Sequence, residues 1–219
     1  MIDTITNIAI EDYLAALMPP RTGALAELEQ RAEQQGLALV GPVQGQLLYL
    51  LARSMSARQA LEVGTTTGYA AIWILQALQP VGGHLTVIES ESRRYQLAQE
   101  FFAKAGFSND VTIHQEPWND ILPRLNLESY DLIFLDILRS LTTDDQALQA
   151  LHMCVALLRP GGLLIGDNVL CSAQVLEDQP PPKVRGIQIF NQALMRHPEL
   201  ESTIVPLRDG VSISRKKDA

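Results

Sequence analysis

From residue 59 onward the chain alternates short apolar runs with stretches of helical periodicity. The runs Ala60–Val63, Leu85–Glu89, Val111–His114, Leu132–Asp136 and Leu163–Asp167 are too short for helices and are predicted as strands. Between them the apolar spacing predicts helices over about 68–78, 92–105, 119–125 and 143–158. Strands that are apolar throughout and separated by helices call for a parallel sheet covered on both faces. Gly82-Gly83, Gly106 and Pro160-Gly161-Gly162 punctuate the connections. A helix over Val184–Arg196 follows, then a strand over Thr203–Pro206. Leu207-Arg208-Asp209-Gly210 then turns the chain into Val211–Arg215. Asp-Gly is a strong hairpin signal, so the sheet is expected to end in an antiparallel pair.

Three helices are expected before the first strand. Residues 7–18 place Ile8, Ile10, Tyr13, Leu14 and Leu17 on one face, and Pro19-Pro20 stops them. A second helix turns Leu25, Leu28 and Ala32 inward and ends at Gly36. A third, over Val43–Ser54, carries Leu47, Leu48, Leu50 and Leu51. No internal repeat or low-complexity segment interrupts this order. The expectation is a single domain over 1–219, with N-terminal helices over 1–56 and an α/β core over 57–219.

Composition narrows the function classes. With 219 residues, 47% hydrophobic and 19% charged, the chain is long enough to bury a full core. A net charge of −8 argues against an extended phosphate-binding surface and so against nucleic acid as a partner. No apolar run reaches membrane-spanning length, and Met1–Ile10 has no basic segment of the kind that opens a signal peptide. A cytoplasmic location is expected. Cys154 and Cys171 have no metal-like spacing, and Cys154 falls on a helix face that reads as core. His84, His114, His152 and His197 are scattered, with no pair at ligand spacing, and read as structural.

The chemistry concentrates around Leu61-Glu62-Val63-Gly64-Thr65-Thr66-Thr67-Gly68-Tyr69. Here a strand ends in an acid, a small-residue turn holds two glycines, and a helix starts at once. Such a turn lets backbone approach a ligand, and the free N–H groups of the new helix face it. The spacing is Gly-x-x-x-Gly, not the Gly-x-Gly-x-x-Gly of dinucleotide sites, so the loop points to a nucleoside-bearing cofactor without saying which. Ligands of open α/β sheets sit beyond the carboxyl ends of the strands. Glu62, Glu89, Asp136 and Asp167-Asn168 all fall there. Any one of them reads equally well as a helix cap; four on one edge are harder to dismiss. Glu89 lies where a carboxylate accepts ribose hydroxyls, a feature common to nicotinamide and S-adenosylmethionine sites. Asp136, Asp167 and Asn168 offer only hard oxygen donors, which suit Mg²⁺, Mn²⁺ or Ca²⁺.

These residues, taken in order, resemble the cation-dependent O-methyltransferases, the group of catechol and caffeoyl-coenzyme A O-methyltransferases and small bacterial relatives. The resemblance runs through Tyr13-Leu14, Pro19-Pro20-Arg21, Gln44-Gly45-Gln46-Leu47-Leu48 and the glycine loop. It continues through Phe134-Leu135-Asp136, Leu158-Arg159-Pro160-Gly161-Gly162, Asp167-Asn168-Val169-Leu170, Arg185-Gly186-Ile187, Phe190-Asn191 and Asp209-Gly210. It implies a class I methyltransferase fold: a Rossmann-like seven-stranded sheet with a terminal antiparallel hairpin and extra N-terminal helices, commonly as a homodimer. It implies S-adenosylmethionine as cofactor, with Glu62 and Gly64 at its methionine end beside Thr65, Gly68 and Tyr69. Glu89 with Ser90 would take the ribose, and Pro117 and Trp118, after Glu116, would skirt the adenine. Asp136 would serve both cofactor and ion, and Asp136, Asp167 and Asn168 would hold Mg²⁺ or a similar ion. The implied acceptor is a small phenolic compound whose vicinal hydroxyls chelate the ion.

The chain departs from the pattern in three places. Many relatives read Asp-Ala-Asp-Lys after the fourth strand, with the lysine as general base; here the chain reads Asp136-Ile137-Leu138-Arg139. Arginine stays protonated, so Arg139 is expected to stabilise a phenolate electrostatically while the proton acceptor is left unassigned. Ala70 replaces a usual serine. Trp118 stands where a small residue is common, either as a stacking wall or as a hydrophobic plug. The loop from Cys171 to Pro182, stiffened by Pro180-Pro181-Pro182, is expected over the acceptor. Two other functions fit the same sheet: a nicotinamide-dependent oxidoreductase, and a methyltransferase-fold binding protein that has lost catalysis.

Overall fold

A computed structural model describes residues 6–218. Seven strands form one sheet in the order β3-β2-β1-β4-β5-β7-β6. In sequence they are β1 (Gln59–Val63), β2 (His84–Ile88), β3 (Val111–His114), β4 (Tyr130–Leu135), β5 (Leu158–Asp167), β6 (Leu200–Val205) and β7 (Val211–Lys216). The helices are α1 (Ile8–Leu17), α2 (Gly23–Gln35), α3 (Pro42–Ser54), α4 (Tyr69–Leu78), α5 (Ser92–Lys104), α6 (Trp118–Ile121), α7 (Asp144–Leu157) and α8 (Pro182–Arg196). The expected strands and helices are all present, and β5 begins five residues before its anticipated start. The chain divides into two compact units, residues 9–121 and residues 6–8 with 122–218.

The first unit is built on parallel pairing of β1 with β2 and of β2 with β3. Four of the five residues of β1 and of β2 are buried, which explains why both read as continuous apolar runs. Helix α4 is buried along almost its whole length, and α3 packs on it so closely that Gly45 has no room for a side chain. A Cβ there would come within 2.3 Å of the Trp73 indole nitrogen. Helix α2 turns Ala24, Leu25, Leu28 and Ala32 inward and stops at Gly36 in the left-handed conformation, as expected from its pattern.

The second unit pairs β4 with β5 in parallel, and β7 antiparallel with both β5 and β6. The antiparallel hairpin is thus as the Asp-Gly signal indicated. One difference is instructive. Pro160-Gly161-Gly162 does not end an element but lies inside β5, where the β4–β5 register shifts between Tyr130 and Leu132. Gly161 takes a positive φ of 76°, and a Cβ on Gly162 would press on the Arg159 and Asp131 carbonyl oxygens. The glycines make a bulge, so the strand bends and continues.

Helix α1 keeps its apolar face outside the core. None of its residues is buried, and Ile8, Ile10, Tyr13 and Leu17 are each more than half exposed. Its apolar face is real but does not join the core of the chain.

Candidate active site

In the first unit, β1 delivers Glu62 to the interior and the chain then turns through Gly64 and Gly68, both in the left-handed region. Glycine is required at Gly68 for a second reason: a Cβ would meet the Phe102 ring and Ala98 of α5 at 3.0–3.4 Å. The Gly64 N–H donates to the Ile88 carbonyl, which ties the loop to the end of β2. Thr65 holds the loop from inside, its hydroxyl accepting from the Gly68 N–H. Thr65 also bonds Glu62 through its side chain and Glu89 through its backbone.

Glu62 is 1% exposed, and its Oε2 has no hydrogen-bond partner. Burial pushes its carboxyl up to about 8; the Thr65 hydroxyl opposes this, and the nearby Glu89 charge adds to it. Glu89, also buried, is raised mainly by burial, against hydrogen bonds from the Glu91 and Thr65 N–H groups and the Arg94 charge. Ser90 and Pro117 are exposed, and Trp118 is half-buried at the start of α6. One unit therefore presents two buried carboxyls, a glycine turn and the start of a helix whose cap residue, Gly68, has no side chain. A buried acid with an unpartnered oxygen is stabilised by an incoming cationic donor.

Tyr69 occupies a different position from the rest. Its hydroxyl donates to Glu29 Oε1 at 2.5 Å, and Arg21 grips the same carboxylate with Nε and Nη2 at 2.9–3.2 Å. Burial, then the Glu29 hydrogen bond, raises the Tyr69 hydroxyl above its ordinary value. The side chain is thus spent on fixing the start of α4 to α2, and its backbone is the part that lies at the loop. Glu29 gave no signal in the sequence; it sits on α2 among other polar residues, and only the fold brings it to Tyr69.

In the second unit, Asp136 follows the end of β4 and is half-buried, whereas Asp167 closes β5 and is 5% exposed. The Asn168 N–H donates to Asp167 Oδ1 at 2.8 Å, and Asn168 takes a φ of 58°. Cys171, Ser172 and Ala173 repeat this left-handed conformation. Non-glycine residues held this way cost about 1–3 kcal/mol each, so the turn must be fixed by its surroundings. Arg139 lies in a short 3-10 turn after β4, its Nη1 3.9 Å from Asp209 Oδ2. Asp209, seen in the sequence only as part of a hairpin turn, is 1% exposed. Among the described residues no group of three or more His, Cys, Asp or Glu side chains is arranged to hold a metal ion. An ion bound by the expected residues would therefore draw on the Asn168 amide beside the two carboxylates. That set is all oxygen and suits a hard dication.

A family model described as O-methyltransferase matches residues 20–217. The chain belongs to the O-methyltransferase family. With that membership the nicotinamide alternative falls away. A catechol O-methyltransferase from Niastella koreensis is 31% identical over 205 residues, covering 91% of this chain and 90% of the relative. Among solved O-methyltransferases, TomG from Streptomyces achromogenes, in complex with SAM, is 29% identical with a TM-score of 0.82. The alignment covers 95% of this chain and 96% of that one. An O-methyltransferase from Bacillus cereus, in complex with SAH, is 27% identical with a TM-score of 0.84 over 99% and 100% of the two chains.

The raised Glu62 carboxyl gives a pH dependence with a definite sign. The folded state holds this proton more tightly than the unfolded chain does, so the associated stability is full below the ordinary value of 4.5. It is lost as pH rises through about 8. Thermal unfolding of the ligand-free protein should show wild type losing stability relative to Glu62→Gln between pH 5 and 8.5. A difference that stays flat over that range contradicts the assignment.

Proposed function

We propose that this protein is an S-adenosylmethionine-dependent O-methyltransferase that needs a divalent ion and methylates one hydroxyl of a catechol-type small molecule. The observation that carries the reading is the buried Glu62 carboxyl with an unpartnered oxygen beside a glycine turn and a second buried acid, Glu89. An α-ammonium group suits the first acid and a ribose diol the second. Pro117 and the half-buried Trp118 ring would flank the adenine. Gly64, Thr65 and Gly68 shape the turn against which the methionine end lies.

Asp136, Asp167 and Asn168 would hold Mg²⁺, or Mn²⁺ or Ca²⁺ in its place. When bound, the cofactor supplies an electrophilic methyl group and the dication supplies Lewis acidity that lowers the pKa of a phenol. Arg139 keeps its charge at all working pH values and favours the phenolate; it cannot accept the proton. The hydroxyl proton therefore leaves to water or to the second oxygen of the acceptor. The name of the Niastella relative supports a catechol as the acceptor class.

The exposed apolar face of α1 supports a homodimer. A ten-residue helix with no buried residue is marginal alone, and a second copy offers the same apolar face to cover it. No helix among the described residues is long and apolar enough to cross a membrane. Together with the acidic charge, this supports a cytoplasmic enzyme of small phenolic compounds that engages neither nucleic acid nor a membrane.

Turnover of catechol or caffeate with S-adenosylmethionine tests the chemistry. Activity should require Mg²⁺, vanish with EDTA, return on adding the ion back, and fall sharply in Asp136→Ala. Turnover indifferent to chelator and to that substitution contradicts the dication. Light scattering on the purified protein should give twice the chain mass; a monomer contradicts the dimer.

A further inference from the structure

The turn after β5 is held in a shape its sequence does not favour. Asn168, Cys171, Ser172 and Ala173 all have φ between 46° and 64°, and none is glycine. What holds them is the hairpin between β6 and β7. The Val169 N–H donates to the Gly210 carbonyl and the Leu170 N–H to the Asp209 carbonyl, at 3.2 and 2.9 Å. Asp209 then reaches across with its side chain, Oδ1 accepting from the Ser172 N–H at 2.5 Å. Gly210, at φ 85°, is pressed so close that a Cβ would sit 2.4 Å from Leu170 Cγ. From the other side the Asn191 amide donates to the Val169 carbonyl at 2.7 Å. Directly before the turn, Asp167 pairs in register with Val211, the first residue of β7.

We propose that Asp209 is a positioning residue for ion binding. Its Oδ1 locks the left-handed turn and so fixes Asp167 and Asn168 as a ligand pair, with Arg139 as the countercharge to its Oδ2. The inference rests on the dication reading above and goes beyond it, because Asp209 is not itself a ligand in that reading. The chemistry is specific. The acceptor oxygen must stand where the Ser172 N–H points, and its placement matters more than its charge. Substituting an outer residue that orients metal ligands typically weakens the ion about 10- to 100-fold.

Three variants separate placement from charge: Asp209→Asn keeps the oxygen without the charge, Asp209→Glu keeps the charge but moves the oxygen, and Asp209→Ala removes both. The probe is Mn²⁺ alone, titrated by electron paramagnetic resonance, with S-adenosylhomocysteine affinity measured on the same samples. Asp209→Ala and Asp209→Glu should bind Mn²⁺ at least about tenfold more weakly than wild type, and Asp209→Asn within roughly threefold. S-adenosylhomocysteine affinity should stay near wild type in all three, which general damage to the fold would not allow. Should Asp209→Ala fail to fold, the Glu and Asn variants decide between the same outcomes. Wild-type Mn²⁺ affinity in Asp209→Glu, or equal losses in Asp209→Asn and Asp209→Glu, overturns the proposal. Failure of wild type itself to bind Mn²⁺ overturns the dication reading beneath it.

Discussion

The structure depends on a carboxyl group placed where water does not reach. Glu62 is the penultimate residue of β1, whose last four residues are all buried, and its Oε2 is left without a partner. A neutral side chain there would be cheaper for folding alone. The cost is lessened because burial favours the protonated carboxyl and because Thr65 ties it into the loop. The loop follows from this arrangement. Gly64 is tied to the end of β2, Gly68 lets α5 approach, and the Arg21–Glu29–Tyr69 chain anchors the start of α4. A buried acid and the glycine turn beside it thus form one device, stiffened from α2, and in the proposed function it receives the cofactor's ammonium group.

The second unit solves a different electrostatic problem. Its acids Asp167 and Asp209 are also buried, but each accepts a backbone N–H, and Asp209 lies near the Arg139 guanidinium. Here the expense falls on the backbone, in four non-glycine residues held at positive φ. Strain of this kind persists only where hydrogen bonds over-determine it, and the β6–β7 hairpin supplies them. The departure from the family pattern at Arg139 fits this setting. A permanently charged group beside a buried carboxylate has an electrostatic role that does not require it to exchange a proton.

Much of this was legible in the sequence because its signals are local. Apolar runs of four or five residues marked the strands, and Asp209-Gly210 marked the hairpin. Acids at or just after strand ends picked out Glu62 and Glu89 in the first unit and Asp136 and Asp167 in the second. Pro160-Gly161-Gly162 misled because glycine serves a bulge as readily as a loop, and only pairing with β4 distinguishes them. For α1 the periodicity showed an apolar face but not what covers it. Glu29 and Asp209 were missed as supporting residues for one reason: each acts on a partner about forty positions away, Tyr69 in one case and Ser172 in the other. No spacing rule reaches that far.

The claim that Glu62 waits for a cation is tested most directly by counting protons on cofactor binding. A positive ammonium beside the carboxyl should drive it to ionise, because opposite charge lowers the pKa that burial raised. Calorimetric titration of S-adenosylmethionine at pH 7, repeated in buffers of different ionisation enthalpy, reads the protons exchanged. The account predicts release approaching one proton in wild type and almost none in Glu62→Gln. The same proton count in both proteins would contradict it.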